Sequence, residues 1–207
     1  MAIEEASYSV VQRDGEFEIR DYAAQLLAET VVAGDFDRAG NEAFGRLFRY
    51  ISGGNRSRHK VAMTAPVSQQ PAGEKIAMTA PVRQQPAHDR WVVSFTMPAS
   101  YTLETLPEPE DPQVALRQVP ARRMAVLRYS GLWTESSYLR HKMKLESWVL
   151  SRGLRIAGDP VWARYNSPFA PWFLRRNEIL LPVDGDGGHG AGQTDEPGKH
   201  VGALTRQ

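Results

Sequence analysis

Cysteine is absent from the 207-residue chain. That excludes disulfides, thiolate nucleophiles, iron–sulfur clusters and thiolate-ligated zinc or haem, while leaving the redox compartment open. An excess of charge of one sign is missing too: 25 Lys+Arg against 24 Asp+Glu leave a net +1. A nucleic-acid binder normally carries a basic face, so no nucleic-acid partner is expected. Nowhere do about 18 apolar residues run together, so no membrane-crossing helix is expected. The stretch Met1 to Ser9 is acidic, with Glu4 and Glu5, and has neither the positive flank nor the apolar core of a signal peptide. The expected location is therefore cytoplasmic. Catalytic signatures are missing as well. There is no GxSxG elbow, no GK[ST] phosphate loop and no HExxH, HxH or HxxxH metal pattern.

What is present is enough apolar material, 42% of residues, to build one compact domain. Residues 184–207, DGDGGHGAGQTDEPGKHVGALTRQ, are too polar and Gly-rich to offset their ordering entropy, and are expected to form a disordered tail on a domain of residues 1–183. Within that domain the hydrophobic period alternates between 2 and 3.6. Tyr8–Arg13 and Phe17–Tyr22 read as strands around the turn signal Asp14-Gly15, and Gln25–Ala33 as a third strand. Asp35–Ile51 is a predicted helix with Asp35 as N-cap, stopped by Gly53-Gly54. The order then recurs. Val114–Val119 and Arg122–Ser130 read as strands joined near Pro120-Ala121, Thr134–Arg152 as an amphipathic helix closed by Gly153, and Val161–Tyr165 and Asn177–Val183 as final strands. Two similar strand–strand–helix–strand halves predict a pseudo-symmetric α+β fold, an antiparallel sheet or distorted β-barrel with two main helices.

Between the halves KVAMTAPVSQQ (60–70) is repeated as KIAMTAPVRQQ (75–85). As a local duplication it lengthens a surface hairpin; as a functional one it sets Met63 and Met78 over the mouth of a cleft. His141, on the apolar side of the second helix, reads as a core or cleft-lining residue. Glu178 in Arg175-Arg176-Asn177-Glu178 reads as an ion-paired carboxylate, or else as a catalytic one. Phe44, Leu47 and Phe48 lie beside Arg49, and SPFAPWFL (167–174) is aromatic and too irregular for a strand. Apolar loop residues beside cations suit a flat, apolar, anionic ligand.

These stretches resemble a known family. The segment Gly53-Gly54-Asn55 into KVAMTAPV, then WVVSFTMP (91–98), LPEPEDP (106–112), AVLRYSG (125–131) and ARYN…RRNE (163–166, 175–178) are similar, in order, to the SOUL/haem-binding proteins. The resemblance implies a small-molecule tetrapyrrole partner, haem or a relative, held in a shallow apolar groove without established turnover. Carried onto this sequence, the groove falls on Asn41, Phe44, Leu47, Phe48 and Arg49, on Met63, and on Phe169, Ala170, Pro171 and Trp172. Asn41 stands where a basic residue is expected, and Ala170 and Pro171 where a Lys can stand, so fewer cations await the propionates. His59, Met63 and Met78 are the candidate axial ligands. An alternative class is a GyrI-like small-molecule-binding or hydrolytic domain, with Glu178 and Tyr165 as the pair at its cleft. A third is a protein-interaction module built on the Met-rich duplication. The oligomeric state is left open.

Overall fold

The computed structural model describes residues 3–57, 73–166 and 169–184. The first half runs β1 (Glu4–Glu5), β2 (Tyr8–Asp14), β3 (Phe17–Tyr22), β4 (Gln25–Ala33), α1 (Phe36–Ile51), β5 (Asn55–Arg56), β6 (Thr79–Ala80), β7 (Val82–Ala87) and β8 (Arg90–Thr96). The second runs β9 (Glu108–Pro109), β10 (Ala115–Val119), β11 (Arg122–Tyr129), α2 (Glu135–Ser151), β12 (Arg155–Ile156), β13 (Val161–Arg164), a 3-10 turn (Trp172–Leu174) and β14 (Asn177–Asp184). Asp184, expected to open the tail, is thus the last residue of β14, and the rest of that segment lies outside the described residues.

Local chemistry sets the boundaries. Asp35 accepts a hydrogen bond from the Arg38 N–H at 2.8 Å, and Thr134 one from Ser137 at 3.3 Å, so each helix begins on a side-chain cap. Gly53 and Gly153, at φ +113° and +70°, end the two helices in backbone that other residues adopt only under strain.

The main sheet is antiparallel and curls into a half-barrel, in the order β10-β4-β8-β7-β13-β14-β11-β3-β2. The first eight strands are pseudo-symmetric about the β7–β13 pair. β4 and β11 each precede a helix, β8 and β14 lie beside them, and β7 and β13 meet at the centre. The outermost strands are exchanged between halves: β3 pairs with β11 and β10 with β4. Pro120-Ala121 therefore links strands of different halves instead of closing a hairpin, as does Ala23-Ala24. Exchange ties each half to a strand of the other within a single sheet.

Both helices lie on one face, α1 over β4 and β8, α2 over β11 and β14. Under α1 the core holds Leu47, Tyr50, Val93 and Phe95; under α2 it holds Leu127, Leu145, Trp162 and Ile179. The opposite face carries a smaller cluster of Tyr22, Met124, Val126 and Leu180.

The second copy of the duplication departs from the expected surface hairpin. Ile76 is buried, Thr79–Ala80 pairs with β1, and the copy's end becomes β7, at the sheet's centre. Its polar VRQQ text hid this, because β7 buries Arg83 and Gln84 on opposite faces instead of alternating apolar with polar. The first copy, with Met63 and nearby His59, lies outside the described residues.

Candidate functional site

Each helix covers strands of its own half, and Phe36 closes over Gln84 and Trp162, so the Val82–Arg164 end of the central pair β7–β13 is left open between the helices. A cleft of about 320 Å³ occupies that gap. Val82, Gln84 and Arg164 form its floor, Gly40, Asn41 and Phe44 its α1 wall, Trp133 the opposite wall, and Met78, Tyr165 and Phe169 one end.

Fixed contacts hold these groups. Arg164 Nη2 donates to Gln84 Oε1 at 2.7 Å, while Gln84 Nε2 donates to the Phe36 carbonyl at 2.9 Å. The Arg164 guanidinium lies 4.1 Å from the Trp162 ring centroid and 5.1 Å from that of Trp133. Trp133 donates through Nε1 to Asn177 Oδ1 at 2.7 Å, and Arg175 covers its ring at 4.4 Å. Gly40 permits the close approach of α1: a Cβ there would stand 2.9 Å from Arg164 Nη2 and 3.0 Å from Gln84 Oε1. None of the described residues lining the cleft is a carboxylate.

The expected groove residues are only partly brought together. Asn41, Phe44, Met78 and Phe169 line the cleft. Leu47 is fully buried in the α1 core, since its helical position faces the sheet with Ala43 and Tyr50. Phe48 is 48% exposed, outside the cleft, and stacks on Phe44 at 5.9 Å. Arg49 faces a separate recess beside Gly54 and Asp111. Trp172 is exposed on the 3-10 turn that follows Ala170 and Pro171, and neither of those two lines the cleft. Trp133, Arg164, Gln84 and Gly40 were missed. Arg164 stood inside the quoted ARYN motif, and a single Gly within a helical pattern is the signal for a close approach.

Glu178 and Tyr165 do meet: Glu178 is on the opposite face of the sheet, and Tyr165, at the end of the cleft, reaches it through its hydroxyl. Glu178 is 0% exposed and accepts from Arg20 at 2.9 and 3.1 Å, from Arg176 Nε at 3.0 Å and from Tyr165 Oη at 2.8 Å. Burial, and then the adjacent carboxylate, push the Tyr165 phenol well above its ordinary range. Burial would lower the Arg20 pKa, but the bonds to Glu178 outweigh it and raise it. With both oxygens accepting from Arg20, Arg176 or Tyr165, Glu178 is the centre of a buried ion-pair network. His141 stacks on Tyr129 at 3.7 Å and donates from Nδ1 to the Ser137 carbonyl at 2.7 Å, and burial lowers its pKa. It belongs to the α2 packing.

The model of the SOUL heme-binding protein family matches residues 3–182. The chain belongs to that family. Heme-binding protein 1 of Xenopus tropicalis is 27% identical over 173 residues, covering 81% of this chain and 84% of the relative. Among solved structures, a hydrolase from Listeria innocua matches with TM-score 0.54 at 12% identity, covering 84% of this chain and 94% of its own. The EcmrR C-terminal domain matches with TM-score 0.51 at 11% identity, covering 86% and 98%. At those identities the two structures share the fold with this chain. Among the described residues, no helix is long and apolar enough to cross a membrane.

Proposed function

We propose that the chain binds haem or a related tetrapyrrole in the cleft between its helices. The observation that carries this reading is the cleft's donor set. Apolar and aromatic walls from Phe44, Trp133, Val82 and Phe169 surround a guanidinium floor with no carboxylate among the described lining residues. A flat ring buries favourably on such walls at roughly 25 cal/mol per Å². Its propionates pair with guanidinium in charge-assisted contacts, here with Arg164 in the cleft floor. The fit is also selective. The other large cavity, about 380 Å³, is lined by Glu4, Glu5 and Glu104 and would repel a dianion. At about 320 Å³ the cleft is near the lower end for ligand sites, which run from about 300 Å³, so the ring's outer edge remains exposed. Family membership and the 27% identical Heme-binding protein 1 support the same ligand.

Bound haem would supply an iron centre and two carboxylates. The protein's part is to stack the ring, pair the carboxylates and offer the Met78 thioether at the end of the cleft. With Glu178 sealed in its ion pairs, the reading is binding without turnover. Hemin titration followed in the Soret band tests it. A saturable one-to-one response is expected, weakened by Phe44→Ala and by Arg164→Met and unchanged by Glu104→Gln. A non-saturating response insensitive to the first two variants would overturn it.

A further inference from the structure

On the sheet face opposite the cleft, β7 buries a second arginine in a different situation. Arg83 is only 5% exposed, opposite Ala163 on β13 and Ser94 on β8. Its Nη2 donates to Gln25 Oε1, which identifies that atom as the amide oxygen and the other as its NH2. Neither Arg83 Nε nor Gln25 Nε2 has a hydrogen-bond partner among the described residues. Two orphaned donors on one contact are unusual, since buried polar groups are ordinarily satisfied.

The charges around Arg83 make its position more demanding. Among the described residues the carboxylates nearest on this face are committed elsewhere: Glu178 to Arg20, Arg176 and Tyr165, Glu18 to Arg20 and Arg13, Glu29 to Arg117, and Glu5 to Arg176. What faces Arg83 is positive or neutral, namely Arg122, Arg117 (itself paired with Glu29), and the phenols of Tyr22 and Tyr165. Burial first, then the two neighbouring arginines, lower the Arg83 pKa to about 10, with the phenols acting in the opposite sense. A buried cation without a counter-charge is costly, and natural structures pair such groups.

Arg83, Gln25, Arg122 and Tyr22, with Pro120 and Met124, line one small pocket, partly open to solvent, where the two exchanged strand links run side by side. Its space for a solvent-sized centre is about 10 Å³, room for one single-atom species. Tetrahedral oxyanions such as phosphate or sulfate are too large for it.

We propose that this cavity is a binding site for one monatomic anion of the chloride class, which accepts from Arg83 Nε and Gln25 Nε2 and neutralises the Arg83–Arg122 pair. The anion ties the strand links of both halves, Tyr22–Gln25 and Val119–Arg122, at a point where protein groups alone leave positive charge unbalanced. The site is on the other face of the sheet from the proposed haem cleft, so either can fail without the other.

Crystals of the full chain soaked in bromide, with ³⁵Cl line-broadening titrations in solution, test the proposal. Expected are an anomalous bromide peak in contact with Arg83 and Gln25, and saturable chloride broadening. That broadening should fall at least tenfold in Arg83→Met, which removes the buried charge and so keeps the fold, and partly in Arg122→Gln. Water in the cavity of bromide-soaked crystals would overturn the proposal. So would broadening in Arg83→Met equal to that of the parent chain. Hemin affinity of Arg83→Met should match the parent's, which separates this outcome from loss of the cleft.

Discussion

Replacing Glu178 by Gln tests the strength of the buried ion-pair node. The carboxylate is 0% exposed and Arg20, its main partner, 2%. Gln keeps one acceptor oxygen but puts an NH2 where a donor from Arg20 and one from either Arg176 or Tyr165 already point. At least two charge-assisted bonds are lost, each worth about 1.5–3 kcal/mol. Removing one partner of a buried pair costs about 3–5 kcal/mol by the independent route of mutational experience, and the two figures agree. For a chain of this size that is a fall in Tm of roughly 6–20 °C. The assay is urea unfolding followed by tryptophan fluorescence, where the midpoint should drop with an unchanged m-value. Arg20→Met combined with Glu178→Leu should recover much of the loss, because no charge is then left unpaired. A loss below about 1 kcal/mol for Glu178→Gln would refute the reasoning, as the carboxylate would then be hydrated or loosely held.

Three further outcomes follow from other parts of the molecule. Gly40→Ala gains up to about 1 kcal/mol of helix propensity but disturbs the buried Arg164–Gln84 bond, about 1–3 kcal/mol, so stability should fall by up to about 2 kcal/mol. Its Cβ must displace the Arg164 guanidinium, so hemin affinity should fall about tenfold, roughly 1.4 kcal/mol, in the same titration. Leu47→Ala should cost about 2–5 kcal/mol of stability while leaving the hemin affinity of the folded protein unchanged, since Leu47 packs in the core. Burial would raise the Glu18 pKa above 4.5, but bonds from Arg20 and Arg13 outweigh it and hold it lower. Its stabilisation is therefore full above that pH and lost as pH falls through the lower folded value, and Glu18→Gln should flatten the acid limb of a stability–pH curve below about 4.5.

The fold was legible where local chemistry decides it. Asp14-Gly15, the Asp35 and Thr134 caps and the glycines after each helix mark boundaries through short-range physics, and the doubling of elements announced the pseudo-symmetry. The exchange of β3 and β10 between halves was not legible, because a two-residue link such as Pro120-Ala121 reads as a hairpin turn whichever strand the chain meets next. Nor was β7. Its Arg83 and Gln84 are buried because partners from Gln25, Phe36 and Arg164 come from distant segments. The same reason explains the site. Helix α1 displayed Phe44 by periodicity and the family resemblance pointed to Asn41, and both line the cleft, but the wall across from them depends on Trp133 being held by Asn177. Such a contact between residues 44 positions apart has no local trace.

The location of the iron in hemin-loaded crystals, found from its anomalous scattering, tests the central claim most directly. The account predicts one iron peak in the cleft between Phe44 and Trp133, over Val82 and Arg164. A single peak at the acidic cavity by Glu4 and Glu104, or in the recess beside Arg49, would contradict it.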